Sequence, residues 1–210
     1  LKYNYFAISN NLVEQDYLDH FKTDKGLTPS PIYETNLCCW GAIDVDVYNW
    51  DDNKRLALLK KAIDLGLVPA NSKSGGIHLW CFSKKDVIAK WMRNYLCWVR
   101  DELDLNSKTE IFPKQLEVIT DKDGKEKYGN GITLPYRAYF IDPSDSPCGL
   151  SILKDKIFKL PPLQFIKVVE SRLKEHHEFE KYEDYVTEGD KDGRAVFSWC
   201  VVTSGSTHAH

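Results

Sequence analysis

Asp44 and Asp46 stand two residues apart inside Cys39-Trp40-Gly41-Ala42-Ile43-Asp44-Val45-Asp46-Val47, an apolar, β-branched run. Strand side chains alternate faces. The two carboxylates therefore project from one side, about 7 Å apart along the strand, while Ile43, Val45 and Val47 point into a core. Carboxylates sharing a largely buried face repel each other and lose hydration, which costs on the order of several kcal/mol unless a positive charge compensates. A divalent cation is the usual compensation. Mg²⁺ or Mn²⁺ takes carboxylate oxygens and leaves positions for water and substrate phosphates. The plain alternative for an Asp-x-Asp alone is an edge strand with its polar face in water; two later segments shift the balance.

The first of these is Ser72-Lys73-Ser74-Gly75-Gly76-Ile77-His78, which runs into the alternating stretch Leu79-Trp80-Cys81-Phe82. Glycines at 75 and 76 let backbone amides approach a ligand closely, and successive N–H groups in such a turn form an anion-binding nest. Lys73 adds a charge, Ser74 a hydroxyl, and His78 a ring nitrogen able to donate to a phosphate oxygen. Singly these are ordinary: most Gly-Gly pairs are hairpin turns, and most strand histidines are satisfied core or surface groups. Their combination beside an Asp-x-Asp strand is much rarer by chance. The second segment, Thr109-Glu110-Ile111-Phe112-Pro113-Lys114-Gln115, offers a third carboxylate at Glu110 and a second phosphate cation at Lys114. Arg137, after Gly129-Asn130-Gly131-Ile132-Thr133-Leu134-Pro135-Tyr136, is a further candidate for phosphate or template.

The elements that must position these groups follow from periodicity. A short strand is expected at 3–8, a helix within 12–22 carrying Val13, Tyr17 and Phe21, and a Gly/Pro loop at 23–31. Asp51-Asp52 caps a helix to about Leu65, ended by Gly66. The strongest helix, 85–104, presents Val87, Ile88, Trp91, Met92, Tyr95, Leu96, Val99 and Leu103 as a wide apolar face, which is core. A strand at 116–120, a turn at 121–125 and a glycine-rich turn leading into extended chain to 141 come next, then a loop at 142–149. Pro161-Pro162 precedes a helix of about 163–182, whose His176-His177 pair lies on a charged surface, and 183–195 is an acidic linker.

Composition sets the outer bounds. The 210 residues are 42% hydrophobic and 12% aromatic, enough for a substantial core, and exclude a disordered chain. A net charge of −3 argues against a protein that coats nucleic acid, but not against a cleft with local basic groups. Cys38, Cys39, Cys81, Cys97, Cys148 and Cys200 contain no C-x-x-C pair, so no structural zinc site is read, and buried thiols fit a reducing cytosol. No apolar run is long enough to span a membrane, and no signal peptide is present. The start at Leu1 and the terminal Ser-Gly-Ser-Thr-His-Ala-His read as a fragment of a longer protein with a foreign tail.

Together these segments resemble the archaeo-eukaryotic primase, or primase-polymerase, superfamily. Ala42-Ile43-Asp44-Val45-Asp46 is similar to its hydrophobic-Asp-hydrophobic-Asp motif, and Gly76-Ile77-His78 to its second motif. Glu110 stands where the third motif carries an acidic residue. The 72–80, 110–115 and 129–136 segments look like the primases of phage and mobile elements, including the TOTE conflict-system type. The resemblance spans roughly 30–140. It implies an α+β fold, with an RRM-like antiparallel β-sheet catalytic core flanked by helices and joined to a second small α/β unit. The division expected along the chain is a catalytic domain at 1–160 and a C-terminal helical segment and tail at 161–210.

The activity so implied is a template-directed DNA primase or polymerase that transfers nucleotides from NTPs or dNTPs to a 3′-hydroxyl. Two Mg²⁺ or Mn²⁺ ions would sit on Asp44, Asp46 and Glu110, and the triphosphate on Ser74, Gly75, Gly76 and His78, with Lys73, Lys114 and Arg137 as further contacts. Expected partners are single-stranded DNA template and primer, with a helicase outside this chain, in the cytoplasm of a phage-bearing host. Two other functions remain: a catalytically idle nucleic-acid-binding replication module, and a metal-dependent nuclease. Intact carboxylates and His78 weigh against the idle module. The glycine turn favours a triphosphate over a simple phosphodiester.

Overall fold

The computed structural model describes residues 12–33, 35–46 and 51–185. The strand expected at 3–8, Val47, the acidic linker beyond 185 and the tail lie outside the described residues. In chain order the elements are α1 (Glu14–Lys22), β1 (Leu37–Val45), α2 (Asp52–Asp64), β2 (Val68–Asn71), β3 (Ile77–Ile88), α3 (Ala89–Glu102), β4 (Glu110–Phe112), β5 (Ile119–Thr120), β6 (Glu126–Lys127), β7 (Gly149–Leu153), β8 (Lys156–Leu160), α4 (Pro162–Ser171) and α5 (His176–Glu180). Six strands form one sheet in the order β4-β1-β3-β2-β7-β8, and every pairing between neighbours is antiparallel. β5 and β6 form a separate hairpin.

Alternation along β1 and β3 sorts the two faces. Ile43 and Val45 of β1, with Ile77, Leu79 and Cys81 of β3, join Leu58, Leu59 and Ala62 of α2 and Met92, Leu96 and Val99 of α3 in the main core. Burying each such aliphatic chain contributes about 2 kcal/mol. Gly41 lets α3 sit this close. A Cβ there would lie 2.7 Å from Leu96 Cδ1 and from the Phe112 carbonyl oxygen, and 2.8 Å from Met92 Cγ. The opposite face carries Ala42, Val68, Ala70, Trp80 and Phe112 against Ile132, Tyr136, Cys148 and Phe165. The site residues stand on this second face.

Several elements differ from their sequence expectation. Val87 and Ile88 end β3 rather than opening the helix, because they pair with Cys38 and Leu37 of β1 beyond a bulge. The chain at 129–141 docks as irregular turns instead of a strand. Its Ile132 and Leu134 amides donate to the Pro29 and Leu27 carbonyls, those of Ala138 and Phe140 to His20 and Phe21, and Tyr136 and Ala138 take positive φ. The helix expected over 163–182 is two helices. Between them Lys174 leaves helical geometry to exchange backbone hydrogen bonds with Phe82 and Lys84, and this delivers Phe179 into the main core with no exposed surface. His176 is not a surface bystander but packs edge-on against Trp91, with centroids 5.1 Å apart. The β7–β8 hairpin had no sequence expectation, and it extends the sheet beyond β2.

Two expectations hold in detail. Asp51 caps α2 by accepting hydrogen bonds from the Asn53 and Lys54 amides, and Gly66 ends the segment at φ +83°. Among the described residues no helix is long and apolar enough to cross a membrane.

Candidate functional site

Register, rather than sequence proximity, assembles the site. Asp44 lies opposite His78 of β3 on one side and Glu110 of β4 on the other. Glu110, Asp44 and His78 thus form one row across three strands. Along the same face the next row is Phe112, Ala42 and Trp80, which continues the apolar second face. Asp46 follows the last residue of β1 and is exposed.

The glycine turn sits against the end of this row. The Ser72 amide donates to the Gly76 carbonyl at 2.9 Å, the Gly75 amide to the Ser72 carbonyl at 3.3 Å, and the Ser72 and Ser74 hydroxyls lie 3.1 Å apart. Gly75 has φ +93°, the left-handed region that suits glycine, with open space where a Cβ would stand. Gly76 is there for closeness. A Cβ would meet the Val45 carbonyl oxygen at 2.8 Å, Ser72 Oγ at 3.1 Å and Asp46 Oδ1 at 3.6 Å. Lys73 and Ser74 are exposed on this turn.

Asp44 is the strained group. Burial, then the neighbouring charges of Asp46 and Glu110, push its carboxyl up to about 7, with Lys114 pulling the other way. Burial also lowers His78, to about 4, against the pull of Asp46. At neutral pH the imidazole is therefore uncharged, and its Nε2, 3.5 Å from Asp44 Oδ1, makes a contact rather than a salt bridge. Asp44 Oδ1 is left buried without a hydrogen bond. Glu110 is compensated differently: Lys114 Nζ lies 2.7 Å from its Oε1.

Arg93 of α3 is a positioning residue that the sequence did not single out. It donates to the Ile111 carbonyl at 3.2 Å and the Pro113 carbonyl at 2.9 Å, and so fixes the segment that carries Glu110 and Lys114. The one sequence signal was an arginine beside the apolar face of that helix; its targets are backbone oxygens, which no pattern encodes. Asn71 likewise ties the end of β2 to Cys148, accepting from its amide at 2.7 Å. Arg137, on the 129–141 chain, reaches the loop after α1, donating to the Asp24 carbonyl and packing on Gly26.

Beyond Trp80 the same face opens into an apolar cavity of about 370 Å³, walled by Trp40, Phe82, Phe21, Tyr136 and Phe165 among others.

Among the described residues, no three His, Cys, Asp or Glu side chains converge closely enough to enclose an ion as they stand. The donor set still fits a hard divalent cation. It consists of carboxylate oxygens, one of them buried and without a hydrogen bond, on a group whose ionisation is suppressed by burial and then by its acidic neighbours. A buried carboxylate oxygen without a hydrogen bond, beside two further carboxylates, a glycine turn and a neutral histidine, defines a class of site suited to holding a cation and a phosphate together. The model of the TOTE conflict system archaeo-eukaryotic primase domain matches residues 6–146, and the chain belongs to that family. Members of this superfamily are generally nucleotidyltransferases acting with nucleic acid and nucleotides, and they typically use divalent metals. No curated protein matches the chain.

Proposed function

We propose that this chain is a template-directed DNA primase or polymerase that adds nucleotides from NTPs or dNTPs to a 3′-hydroxyl. The observation that carries the reading is the row Glu110, Asp44 and His78 with Asp46 and the Gly75-Gly76 turn at its end. Asp44, Asp46 and Glu110 would hold two Mg²⁺ or Mn²⁺ ions, which when bound activate the attacking hydroxyl and offset charge on the leaving pyrophosphate. His78, neutral at pH 7, keeps an N–H to donate to a β- or γ-phosphate oxygen. Gly75 and Gly76 present backbone amides to the same phosphates, with Ser74 and Lys73 at the turn's outer edge. The 3′-oxygen bonds to the α-phosphorus as the bond to the β-phosphate bridge oxygen breaks, so the site's task is alignment and charge stabilisation.

Single-stranded template is the nucleic acid that this face favours. Trp40 and Phe82 are half-buried beyond the row, and such rings stack bases of any sequence at about 1–3 kcal/mol each. The sheet with α2 and α3 on one face we read as the RRM-like catalytic unit. We place it within 1–160, with the helices from 162 onward docked on it. The proposed setting is replication of a phage, mobile element or conflict-system locus in the cytoplasm, with a helicase acting on the same DNA.

The test is a labelled single-stranded DNA template, with and without primer, incubated with Mg²⁺ or Mn²⁺ and nucleotides. Extension supports the reading, and product without primer adds initiation. Shortened template would favour a nuclease; template bound but never copied would favour an idle module.

A further inference from the structure

Lys114 joins the two halves of the site. Its Nζ lies 2.7 Å from Glu110 Oε1 and 4.9 Å from the centre of the Phe112 ring. The backbone beneath is held, because Arg93 binds the carbonyls of Ile111 and Pro113. The side chains are not enclosed: that of Glu110 is 50% exposed and that of Lys114 31%. A compact ammonium on a flexible four-carbon stem is thus set on a fixed base at the rim of the row. Asp44, by contrast, faces the neutral imidazole of His78.

A divalent cation recruited by Glu110 meets a carboxylate that Lys114 already holds through Oε1. Two positive centres on one carboxylate repel each other, so the ammonium and the cation compete for Glu110. The triphosphate that arrives with the cation brings about four negative charges into reach of the same lysine.

We propose that Lys114 is an exchangeable counter-ion: it neutralises Glu110 in the ligand-free protein, yields that carboxylate to a divalent cation, and carries its charge to the triphosphate. The inference rests on reading Asp44, Asp46 and Glu110 as the cation site. Its consequence is thermodynamic. Lys114 opposes the cation when no phosphate is present and favours the phosphate once the cation is bound, so each ligand strengthens the other through this one residue, reciprocally.

The experiment measures Mn²⁺ alone, inorganic tripolyphosphate alone, and the two together. Free Mn²⁺ is followed by electron paramagnetic resonance and tripolyphosphate by calorimetry, so no catalysis is required. Lys114→Met keeps the contact with Phe112 and removes the charge; Lys114→Gln is a second neutral variant, and melting curves verify folding. The expected result is Mn²⁺ alone binding several-fold tighter in both variants, tripolyphosphate binding weaker, and the coupling between them reduced about fivefold or more. Lys114→Arg, which keeps the charge on a stiffer group, should fall between. Mn²⁺ affinity that is unchanged or weaker in both neutral variants, while Asp44→Asn abolishes binding, would overturn the exchange and leave the site reading standing. Wild-type and neutral variants that bind no Mn²⁺ even with tripolyphosphate, or bind it regardless of Asp44→Asn, would overturn both.

Discussion

Asp44→Asn should make the ligand-free protein more stable, and by an amount that depends on pH. The structure gives both sign and size. The Asp44 carboxyl ionises near 7 in the folded chain, against an ordinary 3.8, because it is buried beside Asp46 and Glu110. The folded state therefore holds this proton more tightly than the unfolded state. Below about pH 4 both states are protonated and Asp44 costs nothing. As pH rises from about 4 to 7 the unfolded chain gains from ionisation and the folded chain does not, so stability falls by about 1.4 kcal/mol per pH unit and then levels off. At pH 8 the accumulated penalty is about 4 kcal/mol, an upper value because neighbouring groups relax. Asparagine carries no such penalty. The gain of Asp44→Asn over wild type should be about 2 kcal/mol at pH 5 and about 4 kcal/mol at pH 8. At pH 8 that is about 8–16 °C in melting temperature for a chain of this size. His78 works in the opposite direction: its lowered pKa costs stability as pH falls from about 6.5 toward 4. Wild type and Asp44→Asn share His78, so the difference between them removes its effect. Urea unfolding at pH 5, 6.5 and 8 measures it. A variant less stable than wild type, or a gain that does not change with pH, would refute the claim that Asp44 is an uncompensated charge.

Other consequences are as direct. Gly76→Ala places a methyl 2.8 Å from the Val45 carbonyl oxygen; it should cost about 1–3 kcal/mol and weaken triphosphate binding, whereas Gly75→Ala meets open space and should cost only about 1 kcal/mol of backbone strain, both read by denaturant titration. Arg93→Met removes two hydrogen bonds to backbone carbonyls and should lower stability by about 2–4 kcal/mol, with metal affinity falling as Glu110 loses its fixed base. Tyr136→Phe loses the bond donated to the Leu160 carbonyl and the one accepted from the Gly149 amide, and should cost about 1–3 kcal/mol in urea while leaving Mn²⁺ binding unchanged.

The site was legible in the sequence to the extent that local rules build it. Alternation alone puts Asp44 with Ala42 on one face and Ile43 with Val45 on the other, and β1 obeys it. Gly76 reads in the sequence as room for a ligand; the structure gives it a different reason, the Val45 carbonyl of the neighbouring strand 2.8 Å from where a Cβ would stand. Glu110 could be named but not positioned, because its place beside Asp44 depends on pairing two strands some sixty residues apart. The misassigned helix start is a genuine ambiguity: Val87 and Ile88 suit strand and helix alike, and pairing with Leu37 and Cys38 decides it. Chain 129–136 carried a recognisable pattern but no clue that its amides bind the 27–29 loop instead of a strand. Arg93 was invisible for the reason that its partners are carbonyls.

Asp44, Asp46 and Glu110 are proposed to run template-directed nucleotidyl transfer. The most direct measurement is incorporation of labelled nucleotides on single-stranded DNA with Mn²⁺, by wild type, Asp44→Asn and Asp46→Asn, each first shown to be folded. Product is expected from wild type and none from either variant, although Asp44→Asn melts higher than wild type. Incorporation by Asp44→Asn at the wild-type rate would contradict it.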